Sequence, residues 1–120
     1  VDLDTMGLSA IAVETFLNFN CELREEGCFN KKTGHRIKAV MPMHTFGHPV
    51  DLDSLVELCN RYKLELVEDA AESLGSFYKG IHTGNWGKAS ALSFNGNKII
   101  TTGGGGAILT NSKKLFLYRL

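Results

Sequence analysis

Short apolar segments alternate along this chain with segments whose apolar residues recur at helical spacing. The clearest helical pattern begins after Asp51, which can cap a helix N-terminus, and extends to Tyr62. Its apolar stripe follows the i, i+3, i+4, i+7 rule and consists of Leu52, Leu55, Val56 and Cys59. Alternation of strands and helices predicts an α/β fold with a mostly parallel sheet flanked by helices.

Other elements are predicted on both sides of that helix. Ser9 is expected to cap a helix that reaches about Phe19, with Val13, Phe16 and Leu17 on one face. Strands are predicted in "IKAVMPM", "LELVE", "KASALSF" and "GAILT", a strand end at residues 1–3, and a closing helix from Asn111 or Ser112. The polar segment "NCELREEGCFNKKTGHR" is interpreted as a surface excursion with a turn at "NKKTG".

The composition predicts one globular domain or a part of one. The chain has 120 residues, of which 43% are hydrophobic, and 13 Lys and Arg balance 13 Asp and Glu. No overall charge attracts it to nucleic acid or to an anionic membrane, and its apolar runs fall short of the roughly 20 residues that span a bilayer. Neither nucleic acid nor a membrane is therefore expected as a partner. Without a signal-peptide pattern we expect a cytoplasmic protein, and because the chain opens at Val1 we expect a fragment of a longer one.

The cysteines and histidines do not form a metal-binding pattern. Cys21, Cys28 and Cys59 are odd in number and lack zinc-site spacing, so they are interpreted as structural thiols. His44 and His48 have a spacing that suits a helical metal site, but two prolines and a glycine oppose a helix there. No metal is therefore expected, and His44 is interpreted as a loop-ordering or packing histidine rather than a catalyst.

Four polar residues follow predicted strands and are candidates for a shared site. His44 follows "AVMPM", Asp69 follows "LELVE", Ser93 lies near the end of "KASALSF", and Lys98 comes five residues later. The carboxyl ends of parallel strands meet at one edge of a sheet, where α/β proteins bind ligands. The alternative is that these are merely the polar strand ends of any soluble protein.

These residue types suit pyridoxal phosphate (PLP) chemistry. A lysine in a restricted pocket can attack an aldehyde and form a Schiff base, which is the role predicted for Lys98. Asp69 has the charge and the place to face the pyridine nitrogen, and Ser93 can contribute to phosphate binding. The glycines at 103–106 allow the chain to turn tightly behind the lysine.

A nucleotide phosphate loop is the competing interpretation of "TTGGGG". The segment has no G-x-x-x-x-G-K-[ST] motif, and its glycines lead into the strand-like "AILT" rather than into a helix. A tight turn without any ligand remains open as an alternative.

Three segments, "VMPMHTFGHPVDLDSL", "VEDAAESLGS" and "ALSFNGNKIITTGGGGAI", together resemble the DegT/DnrJ/StrS family of PLP-dependent sugar aminotransferases. The resemblance implies an aspartate-aminotransferase-like fold, which is fold type I of PLP enzymes. It places residues 1–120 in the central part of the large domain, without the upstream segment and the C-terminal small domain.

The resemblance also implies residue roles. Lys98 occupies the Schiff-base position, Asp69 the pyridine-nitrogen position and Ser93 a phosphate-contact position. Glu72 stands near the cofactor's phenolate oxygen, where members often have Gln or His. An ionised Glu72 would repel that oxygen, so it is expected to be protonated, turned aside or shielded. Asn95 and Gly104 also depart from the common family pattern, in place of a frequent His and a frequent Glu.

The implied reaction moves an amino group from an amino acid, by resemblance glutamate, to a nucleotide-linked keto-deoxy sugar for cell-surface polysaccharide or glycan biosynthesis. Lys98 favours aminotransfer, because related dehydratases have histidine at this position. The "SFNGNK" variant is most similar to enzymes that act on UDP-linked 4-keto-6-deoxy-N-acetylhexosamines. A homodimer is implied for the full-length protein. The alternative is a non-catalytic α/β fragment or degenerate relative without cofactor.

Overall fold

The computed structural model describes residues 1–117 and is mixed α/β. Its helices are α1 (Ala10–Asn20), α2 (Leu52–Tyr62) and the short α3 (Lys113–Leu117). The strands are β1 (Cys21–Arg24), β2 (Gly27–Asn30), β3 (Arg36–Ile37), β4 (Ala39–Val40), β5 (Glu65–Asp69), β6 (Phe77–Tyr78), β7 (Ile81–His82), β8 (Ala89–Ser93) and β9 (Gly106–Leu109). A 3-10 turn covers Thr45–Gly47.

The main sheet has four strands in the order β4, β5, β8, β9. Strand β5 lies at the centre and pairs in parallel with both β4 and β8. The fourth strand departs from a parallel sheet, because β9 returns antiparallel to β8 with Ser93 opposite Gly106. The connection between them is a glycine-rich loop rather than a crossover helix, and a loop that reverses the chain gives antiparallel neighbours.

The two long helices begin where the sequence predicts. The Ser9 side chain accepts a hydrogen bond from the Ala12 N–H, and the Asp51 side chain accepts one from the Ser54 N–H. Two details of the predicted faces were wrong. Phe16 is 47% exposed, and Leu58 rather than Val56 completes the fully buried stripe of α2. The buried stripe therefore keeps Leu52, Leu55 and Cys59 and extends to Leu58, while Val56 is partly buried against the core.

The predicted strand end at residues 1–3 was wrong. This segment is part of a turn in which the Asp2 carboxylate accepts hydrogen bonds from the backbone N–H groups of Asp4 and Thr5. An aspartate that bonds to the backbone two and three residues ahead competes with strand pairing. Val1 and Leu3 are consequently exposed.

The polar excursion after α1 is an antiparallel sheet of β1, β2 and β3, which the sequence pattern did not predict. The turn at "NKKTG" is confirmed, with the Asn30 side chain accepting from the N–H groups of Lys32 and Thr33. The predicted strand "IKAVMPM" divides between the two sheets. Ile37 pairs with Cys28 in the small sheet, whereas Ala39 pairs with Glu65 in the main sheet.

The hydrophobic core lies between α1, α2 and the sheets. A hairpin of β6 and β7 connects β5 to β8 and is a further element that the sequence pattern did not predict. All three cysteines are buried and free, in agreement with structural thiols. No helix within residues 1–117 is long and apolar enough to cross a membrane. The core residues are Leu17, Cys21, Cys28, Val40, Val50, Leu52, Leu55, Leu58, Cys59, Leu64 and Leu66.

Candidate active site

The carboxyl edge of the central strands brings together the residues predicted from strand ends. Asp69 and Ser93 are the last residues of the parallel neighbours β5 and β8. The backbone of Asp69 also continues the pairing with the chain after β4, because its carbonyl accepts from the His44 N–H at 3.1 Å. His44, Asp69 and Ser93 therefore stand on three adjacent chain segments at one edge.

Lys98 lies in the 94–105 loop, between β8 and β9, and its side chain returns to this edge. The loop is closed by hydrogen bonds within itself, from the Phe94 N–H to the Gly105 carbonyl at 2.8 Å and from the Lys98 N–H to the Asn95 carbonyl at 3.0 Å. The ammonium group of Lys98 lies 3.3 Å from Oε1 of Glu72, and the lysine side chain is only 17% exposed. The lysine is therefore largely withdrawn from solvent.

Glu72 connects Lys98 to the turn that follows β4. Its Oε2 accepts a hydrogen bond from the Phe46 N–H at 3.0 Å, while its Oε1 faces Lys98. These contacts hold the pKa of the Glu72 carboxyl below its usual value, first through the Phe46 amide and then through Lys98. Of the three expected states of Glu72, the structure favours an ionised carboxylate whose charge is shielded by its two donors.

Asp69 and Ser93 make few contacts beyond their own loops. Oδ1 of Asp69 accepts from the Ala71 N–H at 3.1 Å, and Oγ of Ser93 accepts from the Asn95 N–H at 3.4 Å. In each case the bond is to a residue two positions ahead, which orients the side chain at the strand end and leaves further hydrogen-bonding capacity.

Glu68 is a buried carboxylate beside Asp69 that the sequence reasoning missed. It is fully buried, and its carboxylate accepts hydrogen bonds from His44 and from three backbone N–H groups in the 83–87 loop. Burial by itself raises the pKa of Glu68. The hydrogen bonds from His44 and the three amides lower the pKa by more than burial raises it, so the pKa lies below its usual value. Strand alternation was the available signal, because Glu68 lies two residues after the buried Leu66 and so faces the same side.

The other residues singled out near the site contribute to packing and turns. His44 is fully buried against Glu68, in agreement with a loop-ordering histidine. The Trp86 ring packs edge-on against Tyr78, with 5.3 Å between the ring centroids. The glycine run forms a turn in which Gly103 (φ 85°) and Gly105 (φ 146°) adopt positive φ, and at its end a Cβ on Gly106 would come 2.5 Å from the Leu92 carbonyl oxygen on the neighbouring strand. Across residues 1–117, no group of three or more His, Cys, Asp or Glu residues is placed to hold a metal ion.

Comparisons with known proteins agree on one family. The model of the DegT/DnrJ/EryC1/StrS aminotransferase family matches residues 21–117. GDP-perosamine synthase of Escherichia coli O157:H7 is 46% identical over 86 residues, which are 72% of this chain and 24% of that protein. The putative pyridoxal phosphate-dependent aminotransferase EpsN of Bacillus subtilis is 42% identical over 110 residues, which are 92% of this chain and 26% of that protein.

Solved structures give the same result. An aminotransferase from Psychrobacter cryohalolentis superposes with a TM-score of 0.77 at 30% identity, over 97% of this chain and 26% of that one. A DegT/DnrJ/EryC1/StrS aminotransferase from Brucella abortus has a TM-score of 0.82 at 27% identity, over 96% of this chain and 29% of that one. The chain thus spans about a quarter of the length of the relatives that it matches. Aminotransferases of this family use PLP. Sequence, fold and the lysine at the carboxyl edge agree that the chain belongs to the DegT/DnrJ/EryC1/StrS aminotransferase family.

Proposed function

We propose that the full-length protein is a PLP-dependent aminotransferase that transfers an amino group from an amino acid to a nucleotide-linked keto-deoxy sugar. The observation that carries the proposal is the Lys98 amine, which is largely withdrawn from solvent and lies 3.3 Å from Oε1 of Glu72, a residue that follows Asp69 at the end of β5. Relatives named for this chemistry support it, among them the GDP-perosamine synthase and a dTDP-3-amino-3,4,6-trideoxy-alpha-D-glucose transaminase of Streptomyces venezuelae, 41% identical over 81 residues.

The residues at the edge suit the cofactor in chemical type. PLP, when bound, supplies an aldehyde for a lysine amine and a ring that withdraws electrons from a carbanion. Lys98 is the amine that holds it, Asp69 is the carboxylate for the pyridine nitrogen, and Ser93 is a hydroxyl donor for the phosphate. Glu72 is the carboxylate near the phenolate oxygen. Nζ of Lys98, when it is free of the cofactor, would accept the proton from the α-carbon of the amino donor.

Further parts of the proposal rest on the family resemblance. Residues 1–120 form the central part of an aspartate-aminotransferase-like large domain. Glutamate is the amino donor, the full-length enzyme is a cytoplasmic homodimer, and its product serves cell-surface polysaccharide biosynthesis. Assaying the full-length protein with glutamate against a panel of nucleotide-linked keto sugars identifies the acceptor by its aminated product.

The direct test of the proposal is covalent trapping of the cofactor. The full-length protein is mixed with PLP and reduced with borohydride, and mass spectrometry locates the pyridoxyl group. We expect the label on Lys98 in the wild type, no label at this position in Lys98→Ala, and retention on Lys98 in Lys88→Ala, which removes a surface lysine paired with Glu65. A wild-type protein without label on Lys98 would contradict the proposal and favour the non-catalytic α/β module.

A further inference from the structure

Glu72 links two chain segments that are far apart in sequence. Each of its carboxylate oxygens has a separate donor, Oε2 the Phe46 N–H at 3.0 Å and Oε1 the Lys98 ammonium at 3.3 Å. Phe46 belongs to the turn after β4, and Lys98 belongs to the loop after β8. The carboxylate therefore bridges the two sides of the candidate active site.

The Phe46 side of this bridge belongs to a turn that packs closely against the core. Phe46 adopts the left-handed conformation (φ 51°, ψ 27°), which is uncommon for a residue with a large side chain and persists only where the surroundings impose it. The next residue, Gly47, packs so closely that a Cβ there would come 2.8 Å from the Glu72 carbonyl oxygen. The turn starts at the buried His44, whose carbonyl accepts from the Gly47 N–H at 3.1 Å. Glu72 is thus held by a turn that is itself anchored in the core.

The Lys98 side depends on this bridge. The other hydrogen bonds that hold the 94–105 loop, described above, run within the loop or to its own strand end. Among the described residues 1–117, Glu72 is the one hydrogen-bond partner of the Lys98 ammonium group. The glutamate side chain is 34% exposed and the lysine side chain 17%, so solvent screens this pair less than it screens a pair on an open surface.

We propose that Glu72 is a positioning residue, whose carboxylate, held by the Phe46 amide, places the Lys98 ammonium group before the cofactor binds. The lysine then passes one proton to solvent, and its neutral amine condenses with the aldehyde of the cofactor with release of one water. This inference rests on the proposed function, because it concerns the lysine that captures PLP. It goes beyond a contact between Glu72 and the cofactor, since the bridge exists between residues of this chain alone.

Glu72 must be a carboxylate to bridge Phe46 and Lys98, because it has two hydrogen-bond donors to satisfy. Both neighbours of Glu72 donate hydrogen bonds, and a carboxylate offers each of them an oxygen. An amide has one oxygen, which can keep the Phe46 bond, and an NH2 group that would turn a donor towards the ammonium. The variant Glu72→Gln therefore preserves size and the Phe46 contact but removes the attraction to Lys98.

The test measures how fast the cofactor-free, full-length protein captures PLP, as pyridoxyl trapped on Lys98 by borohydride at successive times. At low salt we expect Glu72→Gln to capture PLP about tenfold more slowly than the wild type, as for loss of one hydrogen bond to a charged group. In about 1 M salt, where the Debye length is about 3 Å, the two rates should converge, because screening weakens the wild-type pair. The matched control is Phe46→Gly, which removes the ring but keeps the N–H donor and suits the left-handed backbone. It should capture PLP within about twofold of the wild-type rate, a change below 0.5 kcal/mol.

Four outcomes are distinguishable. A slower Glu72→Gln whose deficit shrinks with salt, at an unchanged thermal midpoint, supports the inference, since a purely structural defect would lower the midpoint. Equal capture by Glu72→Gln and the wild type at low salt overturns it. Faster capture by Glu72→Gln also overturns it, because the pair would then restrain the amine rather than place it. A wild type that never acquires pyridoxyl on Lys98 overturns the proposed function itself, and the inference with it.

Discussion

The imidazole Nε2 of His44 lies 3.0 Å from Oε2 of Glu68, and both side chains are fully buried. Because the Val50 N–H donates to Nδ1 of His44 at 3.4 Å, the ring proton resides on Nε2 and is donated to Glu68. The carboxylate also accepts from three amides of the 83–87 loop. One buried glutamate therefore fixes the loops on both sides of β5, directly beside Asp69.

We expect Glu68→Gln to destabilise the protein strongly. The amide presents an NH2 group where at least one of four donors now finds an oxygen, and a buried donor without a partner is costly. The free energy of unfolding, measured by urea denaturation, should fall by about 3 kcal/mol. The matched control is Glu65→Gln on the same strand. Its partner Lys88 is at the surface, so the change should stay within about 0.5 kcal/mol. Similar losses in both variants would contradict the role assigned to Glu68.

The same carboxyl makes the stability depend on pH in the acid range. The pKa of Glu68 in the folded protein is below its usual value, so the unfolded chain takes up the proton first as the pH falls. The stabilisation is therefore fully present above about pH 5 and is lost as the pH falls from about 4.3 through the folded pKa. We expect the free energy of unfolding to decline less steeply below pH 4.3 in Glu68→Gln than in the wild type. Parallel acid profiles for the two proteins would show that Glu68 does not contribute to this decline.

The elements best predicted from sequence are those with strong local signals. The capped helix α2 and the central strand β5 combine a capping aspartate, an apolar stripe and a short apolar run, and they lie where expected. The sequence pattern did not predict the small sheet of β1, β2 and β3. Strand β1 is exposed except at Cys21, and its charged residues are typical of a loop. The pairing of this sheet depends on contacts across two turns, at residues 25–26 between β1 and β2 and at "NKKTG" between β2 and β3, which no local pattern encodes.

The sequence predicted which residues stand at the candidate site, but it did not predict the hydrogen bonds that they make. The rule that strand ends converge brings Asp69 and Ser93 together, and it needs only the order of strands and helices. The bond from Glu72 to Phe46 joins residues 26 positions apart through a left-handed turn, and the burial of Glu68 depends on a loop 16 to 19 positions away. Such contacts arise from tertiary packing, so the sequence left three states of Glu72 open.

Gly47 offers a test of the turn that supports Glu72. An alanine there would combine a left-handed φ of 82° with a Cβ only 2.8 Å from the Glu72 carbonyl oxygen. Gly75 has a similar φ of 86° but open space around its Cβ position, and so is the matched control. Both substitutions carry the backbone cost of about 1 kcal/mol, and Gly47→Ala should lose about 2 kcal/mol more in urea denaturation. Equal losses would show that the turn does not press against Glu72.

The proposed roles of Asp69 and Ser93 predict different defects, one in the rate of aminotransfer and one in the affinity for PLP. Asp69→Asn keeps an oxygen for the Ala71 N–H but removes the negative charge that we propose as the partner of the pyridine nitrogen. We expect its kcat for aminotransfer to fall by about a hundredfold or more, while borohydride still traps PLP on Lys98. Ser93→Ala removes the proposed hydroxyl donor for the phosphate together with the acceptor of the Asn95 N–H, so its dissociation constant for PLP should rise by about fivefold with kcat nearly unchanged at saturating cofactor. Measuring kcat and PLP dissociation in both variants of the full-length enzyme distinguishes these roles. Near-normal turnover by Asp69→Asn would place the ring nitrogen elsewhere.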